Sequence, residues 1–120
     1  MLNKRCVFYV LFFMPLCAQA DVPLSQQHEV NHLLVFVEQS PCKLERNGSK
    51  YNGQDAAAHI RKKYAYFRSR ISSSEAFIEY SASKSTMSGK YYKVYCPGRP
   101  VIKAQTWLLD ELARYRSTQG

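Results

Sequence analysis

The sequence is short of acidic residues and of long apolar runs. It holds nine aspartates and glutamates against 17 lysines and arginines, a formal net charge of +8. Such a chain attracts anionic partners, for example phosphorylated glycolipids, phospholipid headgroups or acidic polymers, although the charge can also serve solubility alone. The apolar run Cys6–Leu16 is shorter than the about 20 residues that a transmembrane helix needs. The sequence therefore predicts no membrane-spanning segment.

Residues 1–20 have the pattern of an export signal. A basic start and the apolar run are followed by Ala18-Gln19-Ala20, whose small residues favour cleavage before Asp21. Lipid attachment at Cys17 is the alternative, but Leu16 stands where that site has a small residue. Cleavage leaves 100 residues, enough for one domain, and removes two basic residues, which lowers the net charge to +6. We expect a periplasmic, single-domain protein.

Cysteine is scarce in the mature chain, which keeps only Cys42 and Cys96. Because export leads to an oxidising compartment, we expect one disulfide between them, with two free thiols as the alternative. Closing a loop of this length would stabilise the fold by about 4 kcal/mol.

Strand and turn signals predict a small antiparallel sheet. Asn47-Gly48 lies between two short β-forming runs and predicts a tight hairpin, since both turn positions need positive φ. Tyr91–Cys96 is rich in β-forming residues and ends at a Pro-Gly pair, which predicts a third strand. Some of its tyrosines must lie on the outer face of the sheet.

Helical periodicity predicts four helices around this sheet. The first begins with Ser25 as its N-cap and ends before Pro41. The second carries an apolar face from Ala57 to Ile71, and Ser72–Glu75 fits a capping box that begins the third. Residues 81–90 form a polar loop by composition, and Trp107–Tyr115 carries the last helix. The order α-β-β-α-α-β-α predicts an α+β domain: a three-stranded sheet packed by about four helices, with the disulfide holding the third strand beside the hairpin.

The stretch His28-Glu29-Val30-Asn31-His32 matches the H-E-x-x-H pattern of zinc metallopeptidases. There the two histidines bind zinc and the glutamate is the general base. Helical phase, however, places Val30 on the apolar stripe and both histidines on the solvent face. The third histidine of the extended motif is missing. Zinc-dependent hydrolysis through His28, Glu29 and His32 is therefore an alternative only, and we expect no metal or other cofactor.

Ser81-Ala82-Ser83-Lys84 matches S-x-x-K, in which a lysine activates a serine nucleophile. The companion S-D-N and K-T-G motifs are absent. A serine–lysine hydrolase is the second form of the enzymatic alternative.

A line of polar side chains borders the apolar face of the second helix. His59, Lys63, Tyr66 and Arg70 are spaced i, i+4, i+7 and i+11. Basic and aromatic side chains in such a line can present a phosphate or carboxylate site. The alternative is an ordinary solvated face whose long stems cover the edge of the core.

An ordered set of short motifs resembles a domain-of-unknown-function family of small exported proteins from Gram-negative bacteria. The likeness covers about residues 29–116 and rests on Cys42, Arg46-Asn47-Gly48, Ala57-Ala58-His59-Ile60, Lys63-Tyr64, Phe77-Ile78, Ala82-Ser83-Lys84-Ser85, Ser88-Gly89-Lys90, Tyr92, Cys96, Trp107-Leu108-Leu109 and Leu112. The resemblance implies a periplasmic single domain and brings no activity. Its pattern does not require His28 or His32.

The polar positions of that pattern imply a candidate ligand site. With Arg70 from the helical line, the candidates are Arg46, Asn47, His59, Lys63, Arg70, Ser83, Ser85, Ser88 and Gly89. We expect a non-catalytic envelope module that binds an anionic component or a protein partner, with an envelope hydrolase as the alternative. Nucleic acid is not the expected partner, and the sequence leaves the oligomeric state open.

Overall fold

The computed structural model describes residues 21–119, which form an α+β fold. The predicted export signal, residues 1–20, lies outside the described residues. Within them a 3₁₀ turn, Arg68–Arg70, joins the second and third helices. The remaining elements are α1 Leu24–Glu38, β1 Lys43–Arg46, β2 Ser49–Tyr51, α2 Gly53–Phe67, α3 Ser74–Ala82, β3 Lys93–Tyr95, β4 Ile102–Lys103 and α4 Ala104–Gln119. No helix between residues 21 and 119 combines the length and apolar character needed to cross a membrane.

The sheet has four antiparallel strands in the order β2-β1-β3-β4. The prediction of three strands is therefore wrong by one. β4 has only two residues, too few for an alternating pattern to show in the sequence. The predicted third strand is also shorter, because Tyr91 makes only an isolated bridge to Lys84 and regular pairing begins at Lys93.

The hairpin and the disulfide are as predicted. Asn47 and Gly48 have φ of 50° and 86°, the conformation that a two-residue turn of this kind requires. Cys42 and Cys96 form a disulfide with a sequence separation of 54. It joins the residue before β1 to the residue after β3, two strands that pair directly.

Several predicted helix ends are displaced. α1 begins at Leu24 with Pro23 as its N-cap, so Ser25 lies within the first turn and is not the N-cap. α2 ends at Phe67 rather than at Ile71, and the 3₁₀ turn that follows directs Ile71 into the core. The side chain of Ser73, and not of Ser72, caps α3 by accepting a hydrogen bond from the Ala76 amide.

The helices pack on one face of the sheet and leave the other face to solvent. Leu44 in β1 and Val94 in β3 are paired in register and buried, whereas their strand neighbours Lys43 and Lys93 are exposed. Gly53 allows α2 to begin against the end of α1, since a Cβ there would lie 2.4 Å from the Val37 carbonyl oxygen. The largest fully buried side chains are Phe77, Leu33, Ile60, Ile71, Ile78 and Leu108.

Candidate functional site

The two histidines of the H-E-x-x-H match contact α4. His28 Nδ1 lies 3.1 Å from the Tyr115 hydroxyl, and His32 Nε2 lies 2.6 Å from Glu111 Oε2. The His32 ring stacks on Tyr115 with 3.9 Å between centroids. The prediction that both histidines face solvent is wrong for His32, whose side chain is 26% exposed. The predicted apolar face of α1 is buried, but the sequence does not reveal that α4 covers the side of α1 that carries His32.

Glu29 is a buried carboxylate paired with Arg116, whose side chain is 39% exposed. Glu29 itself is 7% exposed, and its carboxylate accepts hydrogen bonds from Arg116 Nε at 2.8 Å, from Arg116 Nη2 at 2.9 Å and from Ser74 Oγ at 2.6 Å. The hydrogen bonds from Arg116 lower the pKa of Glu29 to about 2. Among residues 21–119, no three or more histidine, cysteine, aspartate or glutamate side chains are grouped so that they could hold a metal ion.

In the S-x-x-K match, the serine, Ser81, is buried and the lysine, Lys84, is exposed. α3 extends to Ala82, so the predicted loop begins later than residue 81. Ser81 is fully buried, and its Oγ has no hydrogen-bond partner among the described residues. Lys84 is exposed, and its ammonium lies 5.9 Å from the centroid of the Tyr91 ring. The structure does not bring the two side chains together.

Lys63, His59 and Tyr92 meet where α2 faces the start of β3. Lys63 is 9% exposed, and its ammonium donates to the Lys84 carbonyl oxygen at 2.7 Å and to the Tyr92 hydroxyl at 3.2 Å. His59 Nε2 lies 3.2 Å from the same hydroxyl. The buried charge of Lys63 is thus solvated by two neutral oxygens and has no carboxylate beside it.

Arg46 adds a second positive charge from β1. Its guanidinium lies 4.2 Å from the centroid of the Tyr51 ring, and its buried Nε has no acceptor within the described part of the chain. Burial, followed by the charges of Arg46, Lys63 and Lys62, lowers the pKa of His59 to about 4. Burial and then Arg46 also lower the pKa of Lys63. His59 is therefore neutral at pH 7.

Polar side chains from two turns close one side of this group. Asn47 Nδ2 donates to Ser85 Oγ at 3.2 Å, and Ser88 Oγ donates to Asn47 Oδ1 at 2.6 Å. Ser85 Oγ also accepts from the Ser88 amide at 3.2 Å. Gly89, with φ of 75°, completes the turn between Ser85 and Lys90. The hairpin turn and the loop after α3 are tied together by these bonds.

These residues line an open cleft of about 480 Å³ that contains no acidic side chain. We call it the cationic cleft and define it by Arg46, Asn47, His59, Lys63, Ser85 and Tyr92; Lys62, Tyr66, Phe67, Thr86 and Met87 complete its walls. It therefore combines three basic side chains, Arg46, Lys62 and Lys63, with neutral donors and acceptors.

Four candidate residues lie outside the lining of the cleft. Ser83 is buried; its Oγ donates to the Ile78 carbonyl and its own carbonyl accepts from the Tyr92 amide, so it supports the structure. Ser88 and Gly89 belong to the adjoining turn. Arg70 is exposed in the 3₁₀ turn, because α2 ends three residues earlier and the helical line breaks there.

The Tyr92 hydroxyl is the functional group that the sequence analysis missed. Tyr92 is 2% exposed and lies two residues before the buried Val94. Alternation along an extended chain places residues i and i+2 on one face. This spacing could have separated an inward Tyr92 from an outward Tyr91.

A second cleft, of about 520 Å³, lies beside the disulfide. It is slightly larger than the cationic cleft and mostly apolar, with Phe36, Ile102 and Trp107 in its walls and Arg99 as its one charged lining residue. We place the candidate site at the cationic cleft, because several polar groups converge there and the pKa of His59 is perturbed by charges in the same cleft.

The low pKa of His59 predicts a pH-dependent contribution to stability. The pKa of His59 is about 6.5 in the unfolded chain and about 4 in the folded chain. Between these pH values the imidazole is protonated mainly in the unfolded chain. The free energy of unfolding therefore falls as the pH drops from about 6.5 to about 4. His59→Gln should show a shallower loss of unfolding free energy over the same range. Urea denaturation at several pH values measures both slopes, and parallel curves would contradict the burial of a neutral His59.

Comparison with known proteins gives a family and no activity. The model of a family of unknown function, DUF5329, matches residues 24–116. An uncharacterized protein of Salmonella typhimurium, YfeK, is 33% identical over 92 residues, which is 76% of this chain and 77% of that protein. No solved structure was found to match the chain. The expected resemblance to a domain-of-unknown-function family is confirmed, and the chain belongs to the DUF5329 family.

Proposed function

We propose that this protein is a non-catalytic binding module of the bacterial cell envelope and that the cationic cleft holds an anionic group of its ligand. One observation carries the proposal: the basic residues Arg46 and Lys63 line a cleft whose lining contains no carboxylate. Export to the periplasm is part of the proposal. It is supported by the signal pattern in residues 1–20 and by the disulfide, which suits an oxidising compartment.

The electrostatics of the cleft favour an anion. A buried charge without a counter-ion is unfavourable, and Lys63 is bonded only to a carbonyl and a phenol. Arg46 leaves one buried N–H without an acceptor in the described residues. A phosphate or carboxylate would accept from both, and a guanidinium binds either group with two parallel hydrogen bonds.

The neutral side chains of the cleft suit a ligand in which the anionic group is attached to a part that carries hydroxyl groups. His59 and Tyr92 share a hydrogen bond deep in the cleft, while Asn47 and Ser85 offer an amide and a hydroxyl at its side. Tyr66 and Met87 are 80% and 97% exposed and provide apolar contacts in its walls. A sugar phosphate or a sugar acid has this combination of groups. An acidic side chain of a protein partner would present the same carboxylate.

The proposal is tested by calorimetric titration of the chain from Asp21 with glucose 6-phosphate and inorganic phosphate. We expect binding that weakens with added salt. Lys63→Met should weaken it at least tenfold, because a hydrogen bond to a charged group contributes about 1.5–3 kcal/mol.

Arg70→Gln is the matched control, since it removes one positive charge outside the cleft and should leave the affinity unchanged. Thermal melts establish that both variants fold. Equal losses of affinity in Lys63→Met and Arg70→Gln would contradict the proposal, and so would the absence of salt-sensitive binding by the wild type.

A further inference from the structure

The outer face of the sheet carries a second set of cations that the cationic cleft does not use. Because Leu44 and Val94 point to the core, their strand neighbours point outward. We call this surface the lysine face and define it by five exposed lysines: Lys43, Lys50, Lys93 and Lys103 on the strands, and Lys90, which lines a cavity together with Lys93 and Lys103.

The register of the strands places lysines side by side on this face. Lys50 is opposite Glu45, Glu45 is opposite Lys93, and Lys93 is opposite Lys103, so one row crosses all four strands. Like charges directly opposite each other are unfavourable in a sheet. The one acid of the row, Glu45, accepts a hydrogen bond from the Tyr95 hydroxyl. The row thus keeps an excess of positive charge.

Tyrosine rings hold two of these ammonium groups. Lys50 Nζ lies 3.9 Å from the centroid of the Tyr95 ring, and Lys103 Nζ lies 4.2 Å from that of Tyr91. Within residues 21–119, none of the five lysines forms an ion pair. Their ammonium groups are therefore available to bind an external anion.

The width of the row indicates what kind of anion fits. Lys50 and Lys103 lie on the two edge strands, three strand spacings or about 14 Å apart. A single phosphate cannot reach both ends, whereas an array of phosphates can. Tyr91 is 46% exposed on this face. An exposed tyrosine suits the boundary between headgroups and acyl chains better than it suits a purely polar polymer.

We infer that the lysine face docks the protein on a membrane surface rich in acidic phospholipids. Lysine ammonium groups are compact, hydrated and mobile, which suits a fluid array of phosphodiesters. This surface works independently of the cleft proposed above. Lys63→Met, which disables the cleft, should leave membrane binding unchanged.

Cosedimentation with unilamellar vesicles tests the inference. The chain from Asp21, which contains the whole described fold, should bind vesicles of phosphatidylglycerol and phosphatidylethanolamine at low salt but not vesicles of phosphatidylcholine. Lys50→Gln/Lys93→Gln/Lys103→Gln should weaken this binding by about a hundredfold, given the contribution of each lysine near an anionic leaflet. The matched control, Arg61→Gln/Arg70→Gln/Arg99→Gln, removes the same charge from exposed positions elsewhere and should keep most of the affinity.

Three outcomes would overturn the inference. The first is the absence of binding to the acidic vesicles at low salt, and the second is an equal loss of binding in the control variant. The third is binding of soluble polyphosphate that depends on the three lysines while the acidic vesicles stay unbound, which would assign the lysine face to a polymer. Thermal melts of both triple variants show whether any loss comes from unfolding.

Discussion

Replacing both cysteines, Cys42→Ala/Cys96→Ala, is expected to lower the free energy of unfolding by about 4 kcal/mol. The disulfide closes a segment with a sequence separation of 54 that contains α2, α3 and three strands. Without it the unfolded chain gains the entropy of that open loop. For a domain of about 100 residues this is a large part of the total stability. Urea denaturation at pH 7 measures the difference.

Reduction of the wild type provides the control for this prediction. Dithiothreitol should lower its stability to about that of the double alanine variant and should not affect the variant itself. Cys42 is 9% exposed, so the alanine substitutions also remove a little buried surface. A loss below about 1 kcal/mol in both tests would show that the pairing of β1 with β3 does not depend on the cross-link.

Arg116→Met should destabilise the fold by about 3 kcal/mol, since removal of one partner leaves the other charge buried. Glu29 would keep only the hydrogen bond from Ser74. The methionine retains the apolar stem of the arginine, so most of the loss is electrostatic. Chemical denaturation at pH 7 gives the value.

Two comparisons isolate the pair of Glu29 and Arg116. Glu75→Gln removes the exposed partner of Arg116 and should cost less than about 1 kcal/mol. The double variant Glu29→Gln/Arg116→Met should recover part of the loss, because no unpaired charge remains.

The low pKa of Glu29 also predicts a dependence on pH. Since this pKa is about 2, the contribution of Glu29 to the free energy of unfolding is present above pH 4.5 and is lost as the pH falls towards 2. An Arg116→Met variant that loses stability with acid as steeply as the wild type would contradict this account.

The elements that local chemistry determines were predictable from the sequence. Asn47-Gly48 specifies its turn through two positive φ angles, and Cys42 and Cys96 are the two cysteines that lie outside the predicted signal. The end of α2 at Phe67 and the two-residue β4 were not predictable. Both depend on packing against neighbouring elements, and neither has a local pattern long enough to detect.

The candidate site was predictable only in part, for the same reason. His59 and Lys63 lie one helical turn apart and could be placed on a common face of α2. Tyr92 joins them from a position 29 residues after Lys63, through the pairing of the sheet. For the H-E-x-x-H match, the predicted apolar face of the helix is correct, but the predicted exposure of His32 is wrong. Glu111 and Tyr115 of α4 cover His32, and this contact cannot be predicted from the local sequence.

If Arg46, His59 and Lys63 form an anion-binding cleft, the pKa of His59 responds most directly to the bound anion. The chain has three histidines, and His28 and His32 lie on α1 against α4, so they serve as internal controls in an NMR titration. With saturating glucose 6-phosphate, the pKa of His59 should rise from about 4 by about one unit or more, since a nearby anion favours the imidazolium. The ring signals of His28 and His32 should not respond to the ligand. An unchanged pKa of His59, or equal ligand-induced changes in the ring signals of all three histidines, would contradict the cleft.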